Sequence, residues 1–417
     1  MRILHVVHGY PPEHSGGTEQ YTRLLAEEQV SGGHQVTVFY RRWAEGVGEA
    51  GRDTPAPQLR AAWNGPFTPS RRFLATFGDA YIARSLERVL KETSPDVIHV
   101  QHLMGMPAAV AGAISQLGAP TVITLHDYWW VCANAQLVTN YSQRVCGGPR
   151  GYVNCALCAI ARGGLGWAWP AIPIVAPLLA WRRYLLARLL RGASRLIAPS
   201  EFVRSWYVEE GVPAERIEVV PHGVECNPGA LRRGRQTQDT VRIACFGGLT
   251  WQKGVHVLVE AFSAVDGPAE LWIAGDETSD DAYMARLRDL ASPNVRFLGQ
   301  LSREEVWEKL TKVDVLVVPS LWYETFSLIV HEAFSVGLPV IASNLGALAE
   351  AVRDGVDGLL VPPGDVEAWR AALQRAVEEP GWLAALGAGA RPPLTMSEHA
   401  ARLQPLYAKL VDRNHRA

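Results

Sequence analysis

VDVLVVPS (313–320) runs into LWYETFSLIVHEAFSVGLPV (321–340), and the change of pattern between them decides the fold. The first stretch is a short, almost unbroken apolar run of the kind that makes a strand buried on both faces. After Ser327, apolar residues recur at helical spacing until Gly337 and Pro339 stop the helix. Ser327 has a hydroxyl able to cap, so Phe326, Ser327 and Leu328 are expected at the helix start. Free amides and the positive end of the helix dipole at such a start bind anions, phosphate above all. Glu332 lies about 6 Å further along the axis at 1.5 Å per residue. An ionised carboxylate there can accept two hydrogen bonds from the vicinal hydroxyls of a ribose. Glu324, eight positions before Glu332, would face the hydroxyls of whatever the phosphate carries. Two surface glutamates flanking an ordinary helix start give the same pattern, since negative charge is favourable there anyway.

The same alternation fills the rest of the chain. Strand-like runs are expected at 3–7, 36–40, 97–100, 121–125, 196–199 and 217–220, with helical patterns between several of them. From Val241 the plan repeats in VRIACFGG, LWIAG, VRFLG, VDVLVVPS, PVIAS and GLLVPPGD. Strands alternating with helices predict parallel sheets covered on both faces. A chain of 417 residues is long for one core, so the reading is α/β with two doubly wound domains. The polar stretch 225–240, with Pro and Gly, is the expected linker. It separates an N-terminal domain, 1–224, from a second domain, 241–394, and residues 395–417 are expected to add a terminal helix after Pro392 and Pro393. Ligands of such sheets bind outside the carboxyl ends of the strands.

Four stretches carry a family resemblance in the right order: RILHVVHGYPPEHSGGTEQYTRLLAEEQVSGGHQVTVF (2–39), ITLHDYWW (123–130), FGGLTWQKGVHVLVEAF (246–262) and PSLWYETFSLIVHEAFSVGLPVIASNLGALAEAVRDGVDGLLVPPGD (319–365). The chain resembles retaining glycosyltransferases of family 4, within them the subset with a Cys-rich loop after the His-Asp motif. That resemblance implies the GT-B fold, two Rossmann-like domains facing across a cleft that takes a nucleoside diphosphate sugar, with the terminal helix packing back on the first domain. It implies that the region of Gly16 and Gly17 approaches the donor diphosphate, that His126 lies beside the donor sugar, and that Asp127 lies near the acceptor. It also implies that Lys253 neutralises the leaving diphosphate, an effect of about 4 kcal/mol for one charge at 4 Å and an effective dielectric near 20. Where the family often has an arginine five positions before this lysine, the chain has Gly248. No nucleophile is evident. Retaining enzymes of this fold are thought to let the departing phosphate take the acceptor's proton, so no catalytic metal is expected. A sugar-nucleotide epimerase or hydrolase on the same fold, a natural-product glycosyltransferase and a non-catalytic nucleotide-binding or zinc-loop scaffold are the alternative readings.

The formal net charge of −2 argues against a nucleic-acid partner. Gly9 and two prolines end the first apolar run too early for a signal peptide, and six cysteines without an export signal point to a reducing cytoplasm. Cys132, Cys146, Cys155 and Cys158 fall in the loop 132–158, the last two in CALC spacing. A tetrahedral thiolate set for structural zinc is one reading, with free buried thiols, a disulfide or iron–sulfur ligation as the others. The segment 163–195 begins with an uncharged run in which Pro170, Pro173 and Pro177 are expected to break any continuous helix. Arg182, Arg183, Arg188 and Arg191 follow among leucines, as in a basic amphipathic helix resting on the inner face of a membrane or in an internal helix of the first domain. A lipid-linked or envelope-glycan acceptor is the expectation that goes with it, beside a soluble small molecule.

Overall fold

The computed structural model describes residues 1–14, 16–42, 56–63, 74–107, 110, 113–114, 118–226, 240–278 and 280–416, so most of the expected linker lies outside the described residues. The chain forms two compact units, one of residues 1–223 with 396–417 and one of residues 224–395.

Among the described residues of the first unit seven strands form one sheet: β1 Arg2–Val7, β2 Gln35–Arg42, β3 Gln58–Trp63, β4 Val97–Val100, β5 Thr121–Thr124, β6 Arg195–Ala198 and β7 Ile217–Val219. Their order is β3-β2-β1-β4-β5-β6-β7, and every pairing is parallel. β4 and β5 are buried at all four positions, as strands covered on both faces must be. β3 was not expected from the sequence. QLRAAW is an edge strand with Gln58, Arg60 and Ala61 exposed, and it has no apolar run to announce it. The chain returns to this unit in the helix Met396–Arg416, whose Leu403, Leu406 and Tyr407 pack against Ile3, Leu25 and Val36.

The second unit repeats the plan with β8 Val241–Phe246, β9 Ala269–Ala274, β10 Val295–Phe297, β11 Val315–Val318, β12 Val340–Ser343 and β13 Gly358–Val361, in the parallel order β10-β9-β8-β11-β12-β13. One face of this sheet packs Ile243, Leu258, Leu271 and Trp369, and the other packs Leu310, Leu316, Val330 and Leu348. Strand order reverses between β1 and β4 and again between β8 and β11. At such a reversal the connections leave in opposite directions and open a crevice at the carboxyl ends.

The first unit's core holds an unusual number of polar rings. His5, His99, His126 and His399 are buried, and desolvation lowers each pKa, to about 4 at His5 and His399 and well below the usual value at His99 and His126. Below the ordinary histidine value of 6.5 the unfolded chain takes up protons that the folded unit refuses, so stability rises with pH between about 4 and 6.5 and is lost as pH falls. His5 and His399 alone would each cost about 2 kcal/mol at pH 5 relative to neutrality. Calorimetry is expected to show the main thermal transition falling by about 10 °C between pH 7 and pH 5. A transition that stayed constant over that range would contradict this account of the core.

Candidate active site

In the second unit two loops leave the carboxyl ends of β8 and β11, the strands on either side of the order reversal. The β8 loop carries a short 3-10 turn, Trp251–Lys253, and then Gly254 at φ +69°. A Cβ at Gly254 would stand 1.9 Å from the Pro319 carbonyl oxygen, so only glycine lets this loop lie flush on the end of β11. Leu321 N–H then donates to the Gln252 carbonyl at 2.8 Å and stitches the two loops together. The stitch places Lys253 Nζ 2.7 Å from Glu324 Oε1. Ser320 Oγ and Trp322 Nε1 donate to the same oxygen at 2.7 and 2.9 Å, and the ammonium lies 5.3 Å from the centre of the Trp322 ring. Glu324 is buried, while Lys253 keeps a third of its side chain exposed. All three bonds converge on Oε1, and Oε2 takes part in none of them. Gly346 at φ +59° lies against Tyr323 Cα and the Glu324 carbonyl, where a Cβ would come within 3.2–3.3 Å.

The helix expected after Ser327 runs Leu328–Ser335, but Ser327 does not cap it. Its backbone is left-handed (φ 63°, ψ 83°), which turns the hydroxyl away from the first-turn amides, and its side chain makes no capping bond. Instead the Ser327 carbonyl accepts from Val330 N–H at 3.2 Å and His331 Nδ1 at 3.1 Å. Burial lowers the His331 pKa to about 4, so the neutral ring donates through Nδ1–H, and it stacks on Phe326 with centroids 3.9 Å apart. Glu332, one turn into the helix, is buried and accepts from Arg303 Nη2 at 2.8 Å. Burial works against the Arg303 cation, but Glu332 and, at 3.4 Å, Glu225 outweigh it and hold its pKa above the ordinary value. Arg303 was not singled out in the sequence, because it sits in an unremarkable capped helix, Arg303–Leu310. Gly248 is exposed, and a Cβ there would meet nothing within 4 Å.

In the first unit Gly16 caps the helix Gly17–Ser31 with its backbone alone, without a side-chain capping bond. His126 ends the strand region of β5 as expected and terminates a buried relay. His5 Nε2 lies 2.7 Å from Gln29 Oε1, Gln101 Nε2 lies 3.0 Å from His5 Nδ1, and His126 Nε2 lies 2.8 Å from Gln101 Oε1. An amide nitrogen can only donate and an amide oxygen only accept, so the relay protonates His5 and His126 on Nε2 and makes Nδ1 the lone-pair nitrogen of His126. The signal missed in the sequence is Gln101-His102, a polar pair directly after β4 just as His126-Asp127 follows β5. His102 Nε2 reaches both Asp127 oxygens at 3.1–3.2 Å, Trp129 N–H donates to Oδ1 at 2.8 Å, and the Tyr207 hydroxyl donates to the Asp127 carbonyl at 2.6 Å.

Two expectations about the following segment need correction. Pro177 does not break the helix, which runs Ile172–Gly192. Pro173 sits in its first turn, and the one bond lost at Pro177 frees a carbonyl on the exposed side, where water reaches it. The four arginines also do not share a face. Arg182 is buried, donates to the Trp129 carbonyl at 2.8 Å and lies 4.7 Å from the centre of the Trp129 ring; burial lowers its pKa to about 10, so it stays charged at neutral pH. Arg183 also turns inward, to the Glu210 carbonyl at 3.3 Å.

Among the described residues no three His, Cys, Asp or Glu are placed to hold a metal ion. The thiols donate locally instead: Cys146 to the Gly148 carbonyl, Cys158 to the Val138 carbonyl and Cys155 to Asn154 Oδ1. Burial, then the neighbouring Cys132, Cys146 and Cys158, push the Cys155 thiol up to about 12.

Residues 15–227 match the family model described as Glycosyltransferase Family 4, and residues 240–379 that described as Glycosyl transferases group 1. The chain belongs to glycosyltransferase family 4. It is similar to the glycogen synthase of Mycobacterium tuberculosis, at 27% identity over 95% of this chain and 90% of that protein. Sucrose-phosphate synthase from Thermosynechococcus elongatus superposes with a TM-score of 0.75 at 20% identity, covering 99% of each chain. Anabaena HepE, in complex with UDP and glucose, does so with a TM-score of 0.70 at 19% identity, covering 98% of this chain and 100% of that one. The fold is GT-B, built from two parallel-sheet Rossmann-like domains.

Gly254→Ala should force the β8 loop off Pro319. The strained φ and the overlap together are expected to cost about 3 kcal/mol or more in urea unfolding. A loss below about 1 kcal/mol would show that the loops are not held together by this contact.

Proposed function

We propose that the chain transfers a glycosyl unit from a nucleoside diphosphate sugar to a hydroxyl or amine acceptor with retention of anomeric configuration, in the building of a polysaccharide or other glycoconjugate. The observation that carries the reading is the Lys253 ammonium held 2.7 Å from Glu324 at the β8/β11 reversal, beside the uncapped start of the helix Leu328–Ser335. A diphosphate would take Lys253 and the amides around Ser327 and Leu328, in the place a divalent cation would otherwise fill. Glu324 would hold sugar hydroxyls through Oε2, and Glu332 the ribose hydroxyls through the oxygen that Arg303 does not use. His126, buried and neutral at the end of β5, would lie beside the donor sugar, and Asp127 would serve the acceptor side.

In the reaction the bond from the anomeric carbon to the diphosphate oxygen breaks, and one to the acceptor oxygen or nitrogen forms on the same face. The acceptor's proton passes to the leaving phosphate oxygen. Because charge grows on that oxygen as the bond breaks, Lys253 acts mainly on the transition state. HepE was solved with UDP and glucose, which makes UDP-glucose the first donor to try.

Lys253→Ala is expected to lower kcat about 100-fold or more with a modest change in donor KM. Glu332→Ala should raise donor KM about tenfold with kcat little changed, while Arg303 keeps Glu225 as a partner. Parental kinetics in both variants would overturn the site. Labelled donor consumed without acceptor, giving epimer or free sugar, would replace the transferase by an epimerase or hydrolase.

Open space at Gly248 gives a complementary prediction. Gly248→Arg should fold with an unchanged melting temperature and bind UDP about tenfold more tightly, measured by calorimetric titration, by adding a second cation to the diphosphate subsite. Unchanged or weaker binding would place the diphosphate away from this loop.

A further inference from the structure

The helix Ile172–Gly192 has two opposed stripes. Inward, Leu179, Arg182, Leu186, Leu189 and Leu190 are buried in the first unit. Outward, Ile174, Pro177, Trp181, Tyr184, Arg188 and Arg191 are all exposed, at successive steps of three, four, three, four and three residues, so they form one line along the helix. That line passes from aliphatic through aromatic to basic over about 26 Å. The 3-10 turn that leads into it, Gly166–Ala171, adds Trp167 and Trp169. Trp167 is 77% exposed, Trp169 65% and Ile174 75%, far more apolar surface than scattered exposure leaves in one place.

The stretch of sequence that carries this patch has charge of one sign, although Glu210 lies beside Arg183 on the inner side of the helix. Between Asp127 and Glu201 the sequence has eight arginines and no Asp, Glu or Lys, although the whole chain is slightly acidic. Two of those arginines, Arg182 and Arg183, turn inward, but Arg144, Arg150, Arg162, Arg188 and Arg191 are exposed. Among the described residues no helix is long and apolar enough to cross a membrane.

We infer that the exposed face of residues 165–191 is a docking surface for an anionic lipid bilayer, with Trp167, Trp169 and Ile174 entering the headgroup boundary and Arg188 and Arg191 meeting the lipid charge. The grading along the helix favours a bilayer over a protein partner. Apolar, indole, phenol and guanidinium groups follow one another in the sequence in which a bilayer changes from hydrocarbon through interface to charged headgroups. With the helix tilted so that its Ile174 end goes deepest, it is held by apolar area together with attraction to anionic lipid.

The surface is tested without assuming glycosyl transfer, by sedimenting the full chain with phosphatidylcholine vesicles and with vesicles containing phosphatidylglycerol. The chain should pellet with the second and not the first, with a blue shift of tryptophan fluorescence, and release should increase with salt. Two variants, Trp167→Ser/Trp169→Ser and Arg188→Glu/Arg191→Glu, should each bind anionic vesicles at least about tenfold more weakly, with melting temperatures unchanged. Three results would overturn the inference: a parent chain left in the supernatant with anionic vesicles, variants that bind as the parent does, or a patch that sedimentation velocity shows to be covered by a second copy of the chain.

Discussion

A single missing methyl group organises the second unit. Lys253 and Glu324 lie 71 residues apart, on loops from different strands, and they meet because Gly254 allows its loop to rest on the Pro319 carbonyl. With that approach the ammonium, the buried carboxylate, the Ser320 hydroxyl and the Trp322 indole share one oxygen. Without it the lysine would point to solvent, and Glu324 would be buried against two neutral donors. Burying a carboxylate is expensive unless charge and hydrogen bonds compensate together. The pair is therefore a condition of the β11 loop having its shape as well as a source of positive potential.

The first unit solves a different problem, holding a neutral imidazole in one tautomer. Its answer is a buried line of amides and rings, from Gln29 through His5 and Gln101 to His126, joined by three hydrogen bonds whose direction the amides set. Burial keeps the rings neutral and the amides set the direction, so the orientation of His126 does not depend on solvent. The same line makes the core sensitive to acid, because it contains histidines that cannot take up protons while folded. A polar core of this kind trades stability at low pH for a fixed hydrogen-bonding pattern at the strand ends.

Much of this was legible in the sequence where the signal is local. The apolar strands, the glycines that follow β1 and β8, the helix after Ser327 and the His126-Asp127 strand end are all short-range patterns. What was missed depends on contacts distant in sequence or on conformation. β3 pairs only at the edge and needs no apolar run. Ser327 has the right chemistry for a cap, but its left-handed backbone turns the hydroxyl elsewhere. Arg303 and Gln101 look ordinary until folding brings them to Glu332 and His126. The proline rule failed at Pro177 because one lost bond near an exposed helix start is tolerated. The arginines after it were grouped by composition, whereas the 3.6-residue period sends Arg182 and Arg188 to opposite sides.

That period joins the two halves of the first unit's chemistry. On its inner side the helix Ile172–Gly192 uses Arg182 to hold the Trp129 carbonyl, two residues beyond Asp127, with the guanidinium lying over the Trp129 ring. On its outer side it displays Trp181, Tyr184, Arg188 and Arg191. A helix is stiff over its length, so a force on the outer stripe is carried to the inner one through the same backbone. Few side chains bind their neighbours as firmly as a buried, charged guanidinium with a carbonyl acceptor and an aromatic face. The loop bearing Asp127 is thus fixed to the helix that displays the outer stripe.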